Sequence, residues 1–335
     1  MWATGGELKR WLLAFLAVSV AWTSPVARAA DAHCMAPAFE WLPAGPVRNL
    51  TSIFKECREA GGPLRLATRH FEKLGNGFYL VVDTDTFETA VVPDRCMHCE
   101  NTELVRWGNT RYIKALHEAT APSHSLQNVG VRHADHAVEG YFVTVDLCPS
   151  RNPGFDEEIF TALETLTERK SHLIPVGISV SGSWITAHKA KFKWLLEQQS
   201  NQLLRVVWLN HTLTHPYNNQ LPLDQNFLLE KGISIEHEIL GLEKMLLEYG
   251  VTPSVFFRFP GLVGSRALDD TLRNYGLIPI GSDAWLAKHQ TPVPGSVILI
   301  HGNENEPAGV ADFLRWLDLH RGSELSLLSL GDLFQ

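Results

Sequence analysis

The feature that most constrains the fold is a regular alternation of strand and helix patterns that begins near residue 138 and continues to the end of the chain. Short apolar runs alternate with longer segments in which apolar residues recur every three or four positions. Such alternation is typical of βαβ units, in which helices connect parallel strands. Six or seven units over about 200 residues predict a closed or partly closed (β/α) barrel, with a doubly wound open sheet as the alternative.

The apolar patterns also give approximate element positions. Strands are predicted at 141–146, 174–180, 204–209, 254–260, 277–280 and 296–300. Helices are predicted at 155–169, 183–199, 234–249, 265–275 and 307–320. We expect Ser183 to cap the second helix and Gly250 to end the third.

Polar residues suited to chemistry follow several of these strands. His211 and His215 stand four positions apart, directly after the strand at 204–209. On a helical turn both imidazoles would lie on one face and could reach one divalent cation at about 2.1 Å. In a barrel, catalytic groups gather at the carboxyl ends of the strands. The other candidates at strand ends are Asp146, Arg258, Asp283 and His301.

Together these residue types suit metal-assisted hydrolysis of an amide or ester. Two histidines and a divalent metal can bind a water and lower its pKa toward neutrality. We expect Asp146 to take a proton from that water and Arg258 to orient or charge-balance this aspartate. His301 would protonate a leaving amine. Each of these residues alone also fits a structural role, as a helix cap, an ion pair or a buried histidine.

Five motifs, in order over about residues 138–305, resemble those of the polysaccharide deacetylases. These are carbohydrate esterases that act on chitin oligomers, peptidoglycan and related N-acetylated glycans. The first motif, T-V-D-L-C-P at 144–149, is similar to the family's T-F-D-D-G-P. The others are H-T-L-T-H at 211–215, R-F-P at 258–260, D-A-W at 283–285 and L-I-H at 299–301.

The resemblance implies a fold class, a cofactor and residue roles. The family fold is a distorted (β/α) barrel, and its usual cofactor is zinc or another divalent cation. Carried over to this chain, the catalytic base is Asp146 and the metal ligands are His211 and His215. The remaining motif residues, expected to be catalytic, are Arg258, Asp283 and His301.

The main departure from the family pattern is Leu147, which stands where the family has a second, metal-binding aspartate. Zinc normally takes three or four protein ligands, so two histidines alone would form a weak site. The third ligand is left open between Asp146, Cys148 and the downstream acidic residues Asp156 and Glu157. Cys148 shares a strand face with Asp146 because side chains alternate along a strand. The remaining alternative is that no metal is bound tightly.

Residues 1–29 have the pattern of a secretory signal peptide. Lys9 and Arg10 precede an apolar block at 11–22, and A-R-A at 27–29 provides a small-x-small cleavage site. The block is too short to span a bilayer, and no later run of about 18 apolar residues follows. We therefore expect a periplasmic or secreted protein with no membrane span after signal removal. A formal net charge of −8 without a basic stripe argues against nucleic acid as a partner.

We divide the mature chain into an α+β accessory segment, residues 30–135, and the barrel, residues 136–335. The accessory segment is predicted to contain a helix at 49–60, a hairpin at 78–92 and a helix at 111–119. Its histidines are interpreted as solvated linker residues: His124, His133 and His136. The role of the segment and any protein partners are not indicated by the sequence.

The cysteines are compatible with disulfides because an exported protein meets an oxidising environment. Cys34 with Cys57, and Cys96 with Cys99, is one pairing among several, and spacing does not select between them.

The expected function is removal of N- or O-acetyl groups from a polysaccharide or oligosaccharide by an exported, metal-assisted hydrolase. One alternative is a catalytically inert glycan-binding relative, suggested by Leu147. The other is a hydrolase of a non-glycan C–N amide bond.

Overall fold

The structure, a computed structural model, describes residues 42–59, 61–121, 126–150, 154–320 and 325–335. The predicted signal peptide, Cys34 and His124 lie outside these described residues. All of these described residues belong to one compact unit.

None of the helices in the described ranges combines the length and apolar character needed to cross a membrane.

The N-terminal part forms a five-stranded antiparallel sheet followed by one helix. The strands are β1 (Val47–Glu59), β2 (Leu64–Lys73), β3 (Asn76–Val82), β4 (Thr89–Pro93) and β5 (Met97–Asn101). Their order in the sheet is β4-β3-β2-β1-β5. Helix α1 (Arg111–Ala119) follows and is capped by Thr110, whose side chain accepts from the backbone of Ile113. The predicted hairpin and the predicted helix at 111–119 are confirmed.

The helix predicted at 49–60 is wrong, because this segment is strand β1. Ile53, Phe54 and Cys57 have a spacing that suits a helix, but the run also contains β-branched residues that suit a strand. Strand β1 lies between β2 and β5 and pairs with both of them. Hydrogen bonding to strands on both sides stabilises the extended conformation and outweighs the helical spacing of the apolar residues.

The disulfide in this sheet joins Cys57 and Cys99, which stand opposite each other in β1 and β5. Their Cα atoms are 4.1 Å apart. This bond excludes the pairing of Cys34 with Cys57 and of Cys96 with Cys99, which was one of several that the cysteine spacing left open. Strand register, which the cysteine spacing does not reveal, decides the partner.

The C-terminal part is the predicted (β/α) barrel, which is confirmed as a curled sheet of seven parallel strands with the order β10-β9-β8-β7-β6-β12-β11. The strands are β6 (Phe142–Leu147), β7 (Pro175–Val180), β8 (Arg205–Asn210), β9 (Phe256–Phe257), β10 (Ile278–Pro279), β11 (Ala284–Trp285) and β12 (Val297–His301). The helices are α2 (Glu157–Lys170), α3 (Gly182–Ala187), α4 (Lys189–Ser200), α5 (Ile235–Glu248), α6 (Arg266–Tyr275) and α7 (Pro307–Leu319). The single helix predicted at 183–199 is thus two helices, α3 and α4, which meet at His188.

Strand β6 shows how the barrel separates its core from its chemistry. Val143, Val145 and Leu147 belong to the apolar core that the strands share with the surrounding helices. Thr144 and Asp146 alternate with them and point into the barrel, as the period of two along a strand requires. Odd and even positions of one strand therefore serve the core and the site separately.

The antiparallel sheet and α1 cover the amino ends of the barrel strands. Both parts contribute to one buried apolar cluster, which includes Leu66, Val82, Trp107, Ile113, Leu116, Phe142, Phe256, Ile278 and Val297. A buried ion pair between Arg69 on β2 and Glu243 on α5, with an N–O distance of 2.6 Å, reinforces the contact. The candidate site lies at the opposite, carboxyl ends of the strands.

Residues before position 136 also complete the barrel wall. Val131 pairs in parallel with Ile280 at the end of β10, and its carbonyl accepts from the backbone of Gly281. On the other side, the backbone of Val297 donates to the carbonyl of Arg132. This short segment therefore lies between β10 and β12, and a separate folding domain at 136–335 stays a prediction.

Candidate metal and catalytic site

His211 and His215 lie at the two ends of a tight turn that follows β8. Their ring centroids are 4.7 Å apart. The turn is not helical, because Thr212 and His215 adopt left-handed backbone conformations with φ of 71° and 53°. A β-branched residue rarely adopts this conformation, and such strain is concentrated at functional sites. The histidines therefore converge as predicted, but through a strained turn rather than a helical one.

The turn is held by the helix α5. Glu238 is buried, and its carboxylate accepts from the backbone and the hydroxyl of Thr214 at 2.8 and 2.6 Å. Its backbone carbonyl accepts from Leu213 at 2.9 Å. The side chain of Asn210 accepts from the backbone of Thr212 at 3.0 Å. These bonds fix the positions from which the two imidazoles project.

Both imidazoles are in the state that a metal ligand requires. Burial lowers the pKa of His211 to about 3 and lowers the pKa of His215 well below its ordinary value. Both rings are therefore neutral near pH 7, as coordination demands. Nδ1 of His211 donates to the carbonyl of Arg258 at 2.8 Å, which leaves Nε2 with a lone pair.

The surroundings of these nitrogens fit a divalent cation. Nε2 of His215 is buried and has no hydrogen-bond partner among the described residues, which costs about 1–3 kcal/mol unless a ligand satisfies it. The buried thiol of Cys148 lies 3.2 Å from Nε2 of His211. One ligand atom from each of these three residues lies within 4.8 Å of the others. Ligand atoms around a tetrahedral zinc are about 3.5 Å apart, so little movement would be needed.

The carboxylate of Asp146 is held by Arg258 inside the barrel. Nη1 of the arginine donates to Oδ1 at 2.7 Å and to the hydroxyl of Thr144 at 2.8 Å. The other guanidinium nitrogens donate to the carbonyls of Ile280 and Gly281 at 3.1 and 2.9 Å. Asp146 and Arg258 are 3% and 0% exposed, so the pair lies out of water. This arrangement fixes the direction of the carboxylate.

His301 ends β12 and is oriented by Glu306. Its Nδ1 lies 2.7 Å from Oε2 of that glutamate, which also accepts from Nε1 of Trp285 at 2.8 Å. Burial acts to lower the pKa of His301, but contacts with Cys148, Glu306 and Asp146 outweigh it and leave the pKa well above its ordinary value. The imidazole can therefore hold a proton at neutral pH and deliver it from Nε2.

The Cys148 sulfur joins the two halves of the site. Besides its group with the two turn histidines, it forms a second group with Asp146 and His301 in which the ligand atoms lie within 4.8 Å of one another. The predicted convergence of residues 146, 211, 215, 258 and 301 at one end of the barrel is thus present in the structure. Their catalytic and metal-binding roles stay predictions.

Asp283 is not brought to this site. Its carboxylate accepts from the backbone of Val297 at 3.0 Å and lies 2.7 Å from Nδ1 of His133. Val297 begins β12 and His301 ends it, so the two ends are about 13 Å apart at the usual rise of a strand. Asp283 was expected at the carboxyl end of a barrel strand, and this expectation is wrong. It directly precedes β11, whose first residue, Ala284, pairs with Ile298 near the amino end of β12.

Asp156 also lies apart from the ligand groups. Its carboxylate accepts from the backbone of Glu304 at 2.7 Å, just before helix α2 begins. Within the described ranges, neither it nor Glu157 belongs to a cluster that could hold a metal.

Glu306 also belongs to the site, and it was not predicted from the sequence. It lies five positions after His301 and directly before Pro307, which opens α7. An acidic residue in the short turn after a strand that ends in histidine was the available signal. The family motif does not include it, so the resemblance alone did not identify it.

No protein-family model matches the sequence. Solved structures that match it include family 4 carbohydrate esterases. One from Bacillus anthracis is 19% identical, and the match covers 66% of this chain and 90% of that chain with a TM-score of 0.46. The family 4 esterase PdaA from Bacillus subtilis is 15% identical, with coverage of 77% and 94% and a TM-score of 0.44.

A family 4 pseudoenzyme from Bacillus anthracis also matches, at 12% identity, with coverage of 67% and 82% and a TM-score of 0.41. The matched structures thus include esterases and a pseudoenzyme.

Proposed function

We propose that this protein is an exported hydrolase that removes N- or O-acetyl groups from a polysaccharide or oligosaccharide. The observation that carries the proposal is the convergence of Asp146, His211, His215 and His301 around the buried sulfur of Cys148, with Nε2 of His215 unsatisfied among the described residues. The five-motif resemblance supports the choice of reaction.

The residues of the site divide the reaction between them. A divalent cation held by His211 and His215 would supply Lewis acidity toward a water and the acetyl carbonyl. Asp146, fixed through Oδ1 by Arg258, accepts the proton of the attacking water. His301, held at Nδ1 by its glutamate partner, donates a proton from Nε2 to the leaving nitrogen or oxygen.

An exposed aromatic ring near His215 supports a carbohydrate substrate. Tyr217 lies two positions after His215, is 62% exposed and packs on Phe227 with ring centroids 5.3 Å apart. The neighbouring backbone is held by Asn226, which accepts from Asn218 at 3.0 Å. A fixed, exposed ring of this kind suits stacking on the apolar face of a sugar.

Two features support export. The pattern of residues 1–29 is that of a signal peptide. The disulfide between Cys57 and Cys99 suits an oxidising compartment such as the periplasm or the extracellular space.

The direct test is acetate release from N-acetylated chitin oligomers, peptidoglycan fragments and O-acetylated xylan in the presence of Zn²⁺, Co²⁺ or Mn²⁺. We expect release from at least one glycan and its loss in His211→Ala. His237→Ala, which alters an exposed histidine on α5, is the matched control and should keep the activity.

Two outcomes would favour the alternatives. Hydrolysis of small imides or ureides without release from any glycan would indicate a non-glycan amidase. Glycan binding without turnover of any substrate would indicate an inert binding protein, for which the buried Leu147 at the family's ligand position is the motive.

A further inference from the structure

The structure shows why position 147 cannot supply a metal ligand in this chain. Leu147 is fully buried and packs in the apolar core with Ile159 on α2. Since strand side chains alternate, it points away from the pocket that holds Asp146 and Cys148. A carboxylate at this position would lie among apolar side chains rather than beside the turn histidines. The third ligand must come from another residue.

Three of the four remaining candidates are engaged elsewhere. Glu157 forms an ion pair with Lys191 at 2.9 Å. Asp146 is tied to the guanidinium of Arg258, and its metal-compatible group includes His301 but neither of the turn histidines. Asp156 accepts from a backbone amide at the start of α2 and belongs to no such group in the described part of the chain.

Cys148 has the position that a third ligand needs. Its sulfur lies 3.2 Å from Nε2 of His211 and within 4.8 Å of a nitrogen of His215. The carbonyl of Cys148 accepts from the side chain of the buried Asn303, which fixes the backbone on which the thiol is carried. The unsatisfied Nε2 of His215 is an independent sign that a ligand belongs in this pocket.

We infer that Cys148 is the third protein ligand, so that the chain builds a centre of two histidines and one cysteine in place of two histidines and one aspartate. The inference refines the proposed function and shares with it only the presence of a divalent cation. A thiolate is a soft ligand, so the centre should prefer Zn²⁺ or Co²⁺ over Mg²⁺, Ca²⁺ or Mn²⁺.

Cobalt spectroscopy on the full-length mature protein tests the ligand without any substrate. We expect Co²⁺ added to the metal-free protein to give a near-ultraviolet thiolate-to-cobalt charge-transfer band. Cys148→Ser should abolish the band and weaken Zn²⁺ binding, measured against a chelating dye, by at least about 100-fold, since even a residue that only orients a ligand is worth 10- to 100-fold.

The matched control is the double variant Cys57→Ser with Cys99→Ser, which removes the two disulfide-bonded cysteines of β1 and β5 and should keep the band. If Cys148→Ser does not fold, ¹¹³Cd NMR of the wild-type protein replaces it, because a thiolate ligand moves the cadmium resonance far downfield.

Three results would overturn the inference: no Co²⁺ binding by the wild type, binding without a charge-transfer band, or unchanged Zn²⁺ affinity in Cys148→Ser. A loss of affinity in Asp146→Asn but not in Cys148→Ser would assign the aspartate instead. The experiment distinguishes this inference from the proposed function. A charge-transfer band without acetate release would refute the deacetylase function alone. Acetate release without a charge-transfer band would refute the thiolate ligand alone.

Discussion

Arg258 shows how a single residue can serve both the barrel interior and the site. Its guanidinium is fully buried, where a leucine or phenylalanine would be the usual filling, and it donates to Thr144, Asp146 and two backbone carbonyls. Removing one member of a buried charge pair leaves the other uncompensated and costs about 3–5 kcal/mol. The pair therefore holds the carboxylate at one place.

Asp146→Asn tests the role of that carboxylate. We expect acetate release to fall by about 10²- to 10⁴-fold, because the amide still accepts from Arg258 but cannot take a proton. The turnover number and Zn²⁺ affinity should both be measured, and the affinity should change little.

The control is Asp270→Asn, which alters an exposed carboxylate on α6 that pairs with the neighbouring Arg273. A turnover number of Asp146→Asn within tenfold of the wild type would exclude the aspartate as the base.

Strand β1 connects β5 to the rest of the N-terminal sheet. It spans 13 residues, pairs with β2 on one edge and β5 on the other, and is covalently joined to β5 by the disulfide. Among the described residues, the short β5 lies at the edge of the sheet with β1 as its strand partner. The disulfide therefore fixes the edge of the sheet in place.

Removing this disulfide should lower the free energy of unfolding. Cys57→Ala with Cys99→Ala should lose roughly 4 kcal/mol, because the bond closes a loop with a sequence separation of 42. Urea unfolding measures the loss. Either single variant should lose nearly as much as the double, and a loss below about 1 kcal/mol would mean that β5 is held by its hydrogen bonds alone.

The turn between β3 and β4 should make stability depend on pH through Asp83. Its carboxylate accepts from the backbone of Asp85 and Thr86, both at 3.0 Å. Burial by itself raises the pKa of Asp83, but these backbone bonds outweigh it and the net pKa is lowered. A lowered pKa in the folded state means that the contribution is present above the pKa of the unfolded chain, about 3.9, and is lost as the pH falls through the folded value.

We therefore expect Asp83→Ala to be less stable than the wild type by about 1 kcal/mol at pH 7, with the difference shrinking below about pH 4. Thermal unfolding across this range measures it, with Asp85→Ala at the exposed neighbouring position as the control. A difference that persists unchanged at low pH would contradict the assignment to the charged carboxylate.

At the scale of the whole molecule, the antiparallel sheet and the barrel share one buried apolar cluster. Phe142, Ile278 and Val297, at the amino ends of barrel strands, are covered by residues of the N-terminal part. The buried pair of Arg69 and Glu243 joins the two across the same contact. Stability and the site are therefore separated along the barrel axis, with the cover at one end and the chemistry at the other.

A fragment containing only residues 136–335 should not fold cooperatively, because it would expose this cluster and lose the backbone bonds of 131 and 132 to the barrel wall. Near-ultraviolet circular dichroism and amide dispersion in NMR spectra measure the outcome. A fragment that unfolds cooperatively and binds Zn²⁺ like the whole chain would establish the division at residue 135 as a true domain boundary.

The sequence by itself determined the barrel and most of its site. Strand and helix periodicities are local, so the βαβ pattern and the positions of Asp146, His211, His215, Arg258 and His301 at strand ends could be predicted. In a parallel barrel, residues at successive strand ends necessarily meet.

Only the tertiary structure decided features that depend on register and on the facing of side chains. Strand register places Cys57 opposite Cys99 and Asp283 at the amino end of β12. Pairing with two neighbouring strands makes residues 47–59 a strand. Chain folding, rather than any motif, brought Glu306 to His301 and Cys148 to the turn histidines. The geometry of these contacts depends on turns and on chain segments far apart in sequence, so a local pattern can suggest the residues but does not establish the contacts.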